Sequence, residues 1–255
     1  MKNPIRKIVI VVAIVWGGLW YLSQEPPEEP VPTAADPEMR KQVMALLKKS
    51  KKAKAKQRAD IQEQLQAIGP AGVPIFVESL EHKDPIIRAF AADALKYSGD
   101  ISVAPHLENC LIDNHPAVRK AALTALGQLG AVETVPAIIV ALDDGNREVR
   151  CHAALALGSL GDDRAVLPLV GTLHNDPYPP ARQTAANSLG EIGSLKALRS
   201  LKAAMDDPDP KVRGAAGSAV KRIKQIEPIG KEMEDLGNWL DEKLQDFGST
   251  VQDES

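Results

Sequence analysis

Aromatic residues and cysteines are scarce in this chain of 255 residues. Phe, Trp and Tyr together make up 4% of the sequence, and the only cysteines are Cys110 and Cys151. Two cysteines cannot build the disulfide framework that holds small secreted domains together. The core must therefore come from aliphatic side chains, and a chain of this length can bury such a core without cross-links.

The sequence also lacks the motifs of common catalytic and cofactor sites. It contains no phosphate-binding loop, no nucleophile elbow and no Cys-x-x-Cys pair. The adjacent Cys151 and His152 would point about 100° apart on a helix, which argues against a catalytic pair. We therefore expect no enzymatic activity, no cofactor and no metal site. The histidines lack metal-ligand spacing: His82, His106, His115, His152 and His174.

What the chain does contain is an internal repeat, marked by an arginine that returns every 31 or 32 residues: Arg88, Arg119, Arg150, Arg182 and Arg213. Alanine always stands three residues after it, and Leu or Val seven residues after it. These offsets place small and apolar residues on one face of a helix. In four units a glycine follows eleven residues after the arginine, where it can end the helix, and a second, shorter apolar segment comes next. The pattern predicts a solenoid of stacked helix pairs.

Three stretches of the repeat resemble a known family: "DPDPKVRGAAGSAV", "HPAVRKAALTALGQLG" and "REVRCHAALALGSLGDDRAVLPL". They are similar to HEAT repeats of the short bacterial type related to those of phycobilin lyases. The resemblance implies an all-α, right-handed α-solenoid of about five helix pairs, over residues 61–226. It also implies a ladder of turn aspartates and helix arginines between neighbouring repeats: Asp113/Arg119, Asp144/Arg150, Asp176/Arg182 and Asp207/Arg213.

The resemblance further implies that the arginine-bearing helices line the concave surface of the solenoid. On these helices the columns that vary between repeats, about one, five and nine residues after the arginine, are not dictated by packing. We predict a groove with a small apolar middle at Leu155 and polar flanks, suited to an extended peptide or a partner helix. The predicted partner-binding residues are Asp93, Tyr97, Lys120, Thr124, Gln128, His152, Leu155, Asn187, Glu191 and Arg222.

Stacked repeats also bear on the cysteines and on known HEAT-repeat enzymes. Cys110 and Cys151 lie roughly one repeat apart on different helix types, and packed helices stand about 8–10 Å apart. A disulfide needs Cα atoms within about 7 Å, so we expect two free thiols. Deoxyhypusine hydroxylases carry iron-ligating His-Glu pairs on HEAT repeats. This chain has no His-Glu dipeptide, so that activity is not expected here.

The N-terminal residues 1–22 predict an uncleaved signal anchor, with a removed signal peptide as the alternative. A cationic start precedes an apolar run that ends on interfacial aromatic residues, without a small-x-small cleavage site. We expect residues 5–22 to cross the bacterial inner membrane once, with the N-terminus cytoplasmic and the repeats periplasmic or otherwise extracytoplasmic. Residues 23–37, rich in Pro and Glu, predict an extended spacer.

The two segments that flank the repeats carry opposite charge. Residues 38–60 are strongly basic, and we interpret them as a helical cap on the first repeat. The alternative is that Lys48–Arg58 contacts an anionic envelope polymer, a lipid or an acidic partner. Residues 227–255 are acidic, with apolar residues at helical spacing. They predict either a cap on the last repeat or a helix that docks on a partner or on the basic segment.

Taken together, these features favour a membrane-anchored, non-catalytic scaffold or adaptor that binds a protein partner in the concave groove. One alternative is a lyase-type or enzyme-accessory protein that assists a modification reaction. Another is attachment to an envelope polymer through the basic segment. A nucleic-acid partner is not expected, because the net charge is −3 and the basic run lacks interleaved aromatic residues.

Overall fold

The computed structural model describes residues 37–225, and every regular element in that range is a helix. The predicted anchor, nearly all of the spacer and the acidic segment 227–255 lie outside the described residues. Among the helices that are described, none combines the length and the apolar character that crossing a bilayer requires.

The helices alternate in length along most of the array, with short 3-10 turns between them. The helices are α1 (Pro37–Ser50), α2 (Ala55–Ile68), α3 (Val73–Ser79), α4 (Pro85–Leu95), α5 (Ala104–Asn109), α6 (Pro116–Leu129), α7 (Val135–Val140), α8 (Arg147–Leu160), α9 (Val166–Asn175), α10 (Pro179–Ile192), α11 (Leu198–Ala203) and α12 (residues 210–225). The repeating arginines lie on α4, α6, α8, α10 and α12. Each of these helices follows a shorter partner, as the repeat predicts.

Local sequence explains where the arginine-bearing helices begin and end. Asn146 caps α8, because its side-chain oxygen accepts hydrogen bonds from the backbone N–H groups of Glu148 and Val149, at 3.0 and 3.3 Å. At the other end of α8, Gly161 has φ 67°, in the left-handed region that glycine enters without steric cost. The chain can therefore leave the helix within one residue and enter the next short turn.

Successive arginine-bearing helices pack directly on one another: α6 on α4, α8 on α6, and α10 on α8. The repeated alanines are fully buried in this stack, as Ala122, Ala153 and Ala185 show with 0% exposure. The tightest approach lies elsewhere, at a glycine eight residues after the arginine. A Cβ built on Gly127 would lie 3.0 Å from the Cα of Ala156, and one on Gly190 would lie 2.9 Å from the Cα of Ala219. Glycine at this column lets neighbouring backbones come together.

The turn aspartates and helix arginines form a ladder along the stack. Arg150 donates from Nε to Oδ2 of Asp176 at 2.7 Å and from Nη2 to Oδ1 at 2.9 Å. Its Nη1 donates to the backbone carbonyl of Asp144, the aspartate of its own repeat, at 3.0 Å. Each arginine thus joins its own turn to the turn of the next repeat. The same carboxylate pairing recurs at Arg88–Asp113, Arg119–Asp144 and Arg182–Asp207.

The ends of the ladder differ from the predicted pattern. Arg88 was outside the predicted set, yet it pairs with Asp113 and donates to the carbonyl of His82 at 2.8 Å. His82 takes the place of an aspartate, because its Nδ1 accepts the backbone N–H of Asp84 at 3.0 Å. Arg213 donates to the carbonyls of Asp207 and Pro208, and within the described residues it has no carboxylate partner.

The predicted basic cap, residues 38–60, is divided between two helices. It consists of α1 and the start of α2, separated by a short turn in which the backbone N–H of Lys54 donates to Oε1 of Gln57 at 2.9 Å. The predicted boundary between residues 60 and 61 falls inside α2. This helix continues because Ile61 and Leu65, which are 6% and 1% exposed, extend its buried face.

Candidate partner-binding depression

Side chains from α8, α10 and α12 surround a surface depression of about 460 Å³. It is lined by Cys151, His152, Leu155, Thr184, Asn187, Glu191 and Arg222, and we call it the α8–α12 depression. Five of the ten predicted partner-binding residues meet here: His152, Leu155, Asn187, Glu191 and Arg222. Helical spacing explains their convergence, since residues four apart share one face of a helix.

Leu155 is the large apolar side chain of the depression. It is 47% exposed, whereas Leu157, two residues later on the same helix, is fully buried. Full burial of a leucine side chain is worth roughly 1.5–3 kcal/mol, so covering the exposed half of Leu155 would favour binding by about 1 kcal/mol. One exposed leucine is common on protein surfaces. Leu155 differs from such a leucine because polar side chains surround it.

His152 lies beside Leu155 and is held from the neighbouring helix α6. Its Nδ1 stands 3.1 Å from Oγ1 of Thr124, and that hydroxyl donates to the carbonyl of Lys120 at 2.9 Å. The contact with Thr124 holds the imidazole ring in place. Burial lowers the pKa of His152, and the Lys120 ammonium acts in the same direction. The imidazole is therefore neutral near pH 7.

The rim of the depression carries one charge of each sign. Glu191 and Arg222 are exposed, and within the described part of the chain neither forms an ion pair. The amide of Asn187 is also exposed, on the same face of α10 as Glu191. An amide, a carboxylate and a guanidinium around an apolar residue can bind the backbone and side chains of a peptide.

The other five predicted residues lie outside this depression, on or beside α4 and α6. Lys120 forms an ion pair with Glu148, and Thr124 supports His152 as described above. Asp93 pairs with Lys96 at 2.7 Å, and the same ammonium lies 4.7 Å from the centre of the Tyr97 ring. Gln128 is exposed near the end of α6. These side chains are engaged within the protein or stand apart, so they do not extend the depression as one surface.

Two features of the site were missed from the sequence. Thr184 lines the depression from the second position after the arginine, a column that supplied only His152 to the predicted set. The glycines that bring α6, α8 and α10 together, Gly127, Gly158 and Gly190, recur at the period of the arginine. That recurrence was a visible signal for close helix packing.

Both cysteines are free thiols in the structure. Burial raises the pKa of Cys110 to about 11, and the Asp113 carboxylate adds to this effect against the nearby Arg88. Burial also raises the pKa of Cys151, so neither side chain is a thiolate at neutral pH. We expect iodoacetamide to alkylate both more slowly than it alkylates an unfolded reference thiol at pH 7.5. A Cys151 as reactive as that reference would contradict this environment.

Between residues 37 and 225, no group of three or more His, Cys, Asp or Glu side chains is arranged to hold a metal ion.

Comparison with known proteins identifies the repeats. Residues 110–183 and 166–229 match the family model of HEAT repeats. Residues 110–229 are thus similar to HEAT repeats, and the described residues 37–225 form an all-helical solenoid, while the narrower resemblance to phycobilin lyases stays a prediction. None of the curated proteins compared is similar enough in sequence to count as a match.

Several solved structures are similar in fold. The YibA protein of Escherichia coli is 18% identical, with 80% of each chain covered and a TM-score of 0.58. A designed armadillo repeat protein in complex with peptide (KR)4 is 15% identical, with 71% of this chain and 99% of that chain covered and a TM-score of 0.50. Human deoxyhypusine hydroxylase, in complex with glycerol, is 17% identical, with 74% of this chain and 98% of that chain covered, but its TM-score of 0.34 is too low to indicate a shared fold. At these identities the similarity concerns the fold alone.

Proposed function

We propose that this protein is a non-catalytic adaptor that binds an extended peptide or a helix of a protein partner in the α8–α12 depression. The observation that carries the proposal is the setting of Leu155. A half-exposed leucine sits among an imidazole, an amide and two charges of opposite sign that have no described ion-pair partner. The designed armadillo protein binds a peptide, which supports a peptide partner for a solenoid of this kind.

We further propose that the adaptor is held at the bacterial inner membrane by residues 5–22, with its repeats on the extracytoplasmic side. The support is the sequence of the N-terminal segment, whose cationic start, apolar run and interfacial aromatic residues are typical of a signal anchor. Anchoring would raise the effective concentration of a weak binder near other membrane proteins. A protease-protection assay of the full chain in intact spheroplasts tests this placement. Protection of the repeats from external protease would contradict it.

The binding proposal is tested by site-specific photocrosslinking of the full chain in its native host. A photoreactive residue at position 187 reports on the depression, and one at position 167 reports on another surface. Leu167 is a suitable control because it is 73% exposed and lies on α9, a helix that does not contribute to the depression. We expect a discrete protein adduct from position 187 only. Adducts of the same mass from both positions would show that the depression is not the specific site.

Replacing Leu155 with aspartate should remove partner binding without unfolding the protein. The substitution places a charge where the partner would cover an apolar side chain, and burying an unpaired charge is costly. We expect the adduct yield at position 187 to fall at least tenfold, which corresponds to about 1.4 kcal/mol. The free energy of unfolding should change by less than about 0.5 kcal/mol, as for other surface substitutions. Leu167→Asp is the matched control, and an equal loss of adduct in that variant would contradict the proposal.

A further inference from the structure

The basic cap presents lysines that the rest of the described protein does not neutralise. Residues 38–60 contain nine Lys and Arg and only two Asp and Glu. Some of this charge is used internally, because Arg40 pairs with Glu78 and Lys51 pairs with Asp84 at 2.6 Å. No ion pair with the described residues is formed by four exposed lysines: Lys48, Lys49, Lys52 and Lys56.

Three of these lysines border a cleft of about 450 Å³ between α1 and α2. Its lining combines the cationic residues Lys48, Lys49 and Lys52 with the apolar residues Ala53 and Ile61. The remaining lining is formed by two amides and one carboxylate, from Gln57, Gln64 and Asp60. A cleft that combines ammonium groups with apolar atoms fits a segment that is itself acidic and amphipathic. A polymer that carries only charged groups would leave the apolar atoms of the cleft uncovered.

The same chain contains a segment of that chemistry. Residues 227–255 hold nine Asp and Glu and only two Lys and Arg, the reverse of the basic cap. Apolar residues recur in it at the spacing of one helix face, at Ile229, Met233, Leu236, Leu240 and Leu244. The two segments are thus complementary in both charge and apolar character. In the sequence, they flank the repeats on opposite sides.

We propose that the basic cap of one molecule binds the acidic segment 227–255 of a second copy, so that the molecules associate head to tail. Four successive packings separate α4 from α12, and at about 8–10 Å each they span roughly 32–40 Å. A helix over residues 232–246 would measure about 22 Å, at 1.5 Å per residue. To reach its own cap, the segment would have to fold back along the whole array. A second copy can offer its cap without that constraint.

This contact uses two different surfaces, one from each copy. Such a heterologous interface leaves a free basic cap at one end and a free acidic segment at the other, so further copies can add. Because ion pairs at an exposed surface are screened by salt, the association should weaken as the Debye length falls from about 10 Å at 0.1 M to about 3 Å at 1 M. This behaviour is independent of the α8–α12 depression.

The test is zero-length crosslinking of the detergent-solubilised full chain, with light and ¹⁵N-labelled copies mixed in equal amounts. A carbodiimide joins a carboxylate to a touching amine with loss of water, so each product records a direct contact. We expect links between lysines of the cap and carboxylates of residues 232–246, in peptides that combine one light and one heavy partner. Their yield should fall at least tenfold in 1 M salt. Links found only within one isotopic form would show an intramolecular contact and overturn the proposal.

Two complementary variants make the test specific. One replaces the four cap lysines with glutamine, and the other replaces the carboxylates of residues 232–246 with their amides. Neither variant alone should form the crosslink, but their mixture should, because each supplies the surface that the other lacks. The matched control changes four lysines on the repeats to glutamine and should crosslink like the parent: Lys196, Lys202, Lys211 and Lys221.

Binding to other anionic partners is measured in parallel, with phosphatidylglycerol vesicles and with a soluble polyanion. Both probes use the full chain and the four-glutamine cap variant. If the cap lysines bind either probe while the light–heavy crosslinks are absent, the occupant of the cleft is a lipid surface or a polymer, and the head-to-tail proposal is overturned. Light–heavy crosslinks that persist in the presence of either probe support it.

Discussion

Replacing Arg150 with alanine is expected to lower the free energy of unfolding by about 3–5 kcal/mol, the loss typical when one partner of a buried ion pair is removed. The Asp176 side chain is 4% exposed, and Arg150 supplies two of its hydrogen bonds, at 2.7 and 2.9 Å. Without the guanidinium, a buried carboxylate loses its counter-charge. The carbonyl of Asp144 loses a donor at the same time.

The matched control is Lys196→Ala. Lys196 also joins neighbouring repeats, through Asp163, but the two side chains are 68% and 51% exposed. Exposed pairs of this kind contribute about 0–1 kcal/mol, so this variant should unfold close to the parent protein. Urea unfolding followed by far-UV circular dichroism measures both variants. Equal losses of unfolding free energy in the two variants would show that burial does not increase the contribution of the ladder to stability.

The effect of Arg150→Ala should depend on pH. Burial acts to raise the pKa of Asp176, but the hydrogen bonds from Arg150 and from the backbone N–H of Tyr178 outweigh it, so the pKa is lowered. A carboxyl whose folded pKa lies below its unfolded value of about 3.9 stabilises the protein above that value. This contribution is lost as the pH falls through the folded pKa. The stability difference between parent and variant should therefore be full at pH 7 and shrink below about pH 4.

Replacing Gly190 with alanine is expected to destabilise the protein by about 1–3 kcal/mol, the cost of overpacking a tight core. The new Cβ would lie 2.8 Å from the Cβ and 2.9 Å from the Cα of Ala219. Because one of these contacts is backbone, α10 and α12 would have to move apart. This cost should exceed the gain of roughly 0.8–1 kcal/mol that alanine brings over glycine inside a helix.

Gly217→Ala provides a control of opposite sign. Gly217 lies inside α12, and a Cβ added there would meet nothing within 4 Å. The substitution should leave stability unchanged or raise it by up to about 1 kcal/mol, through lower entropy of the unfolded chain. Thermal unfolding of the two variants, measured side by side, separates the effect of helix propensity on stability from the effect of packing. If both variants moved in the same direction, glycine would not be required for the close approach of the helices.

The candidate site shows how far a single sequence reaches. Helical spacing after the arginine was enough to select Leu155, His152 and Asn187 as surface residues of one face, and the structure brings them into one depression. The same spacing also selected Asp93 and Tyr97. In the structure, the ammonium group of Lys96 contacts both of these side chains. Position in a repeat says which way a side chain points, but not whether a neighbour in space has already neutralised it.

The type of fold could be predicted from the sequence alone. A period of 31 or 32 residues, with small residues, arginine and glycine at constant offsets, dictates helix pairs that can bury their apolar faces only against the next unit. That information is local and repeated, so one chain is enough to read it. Only the tertiary structure shows which aspartate each arginine binds and how α1 and α2 divide the basic cap. It also shows that glycine permits the closest contact between helices. Those outcomes depend on distances between residues of different repeats, which no spacing along the chain specifies.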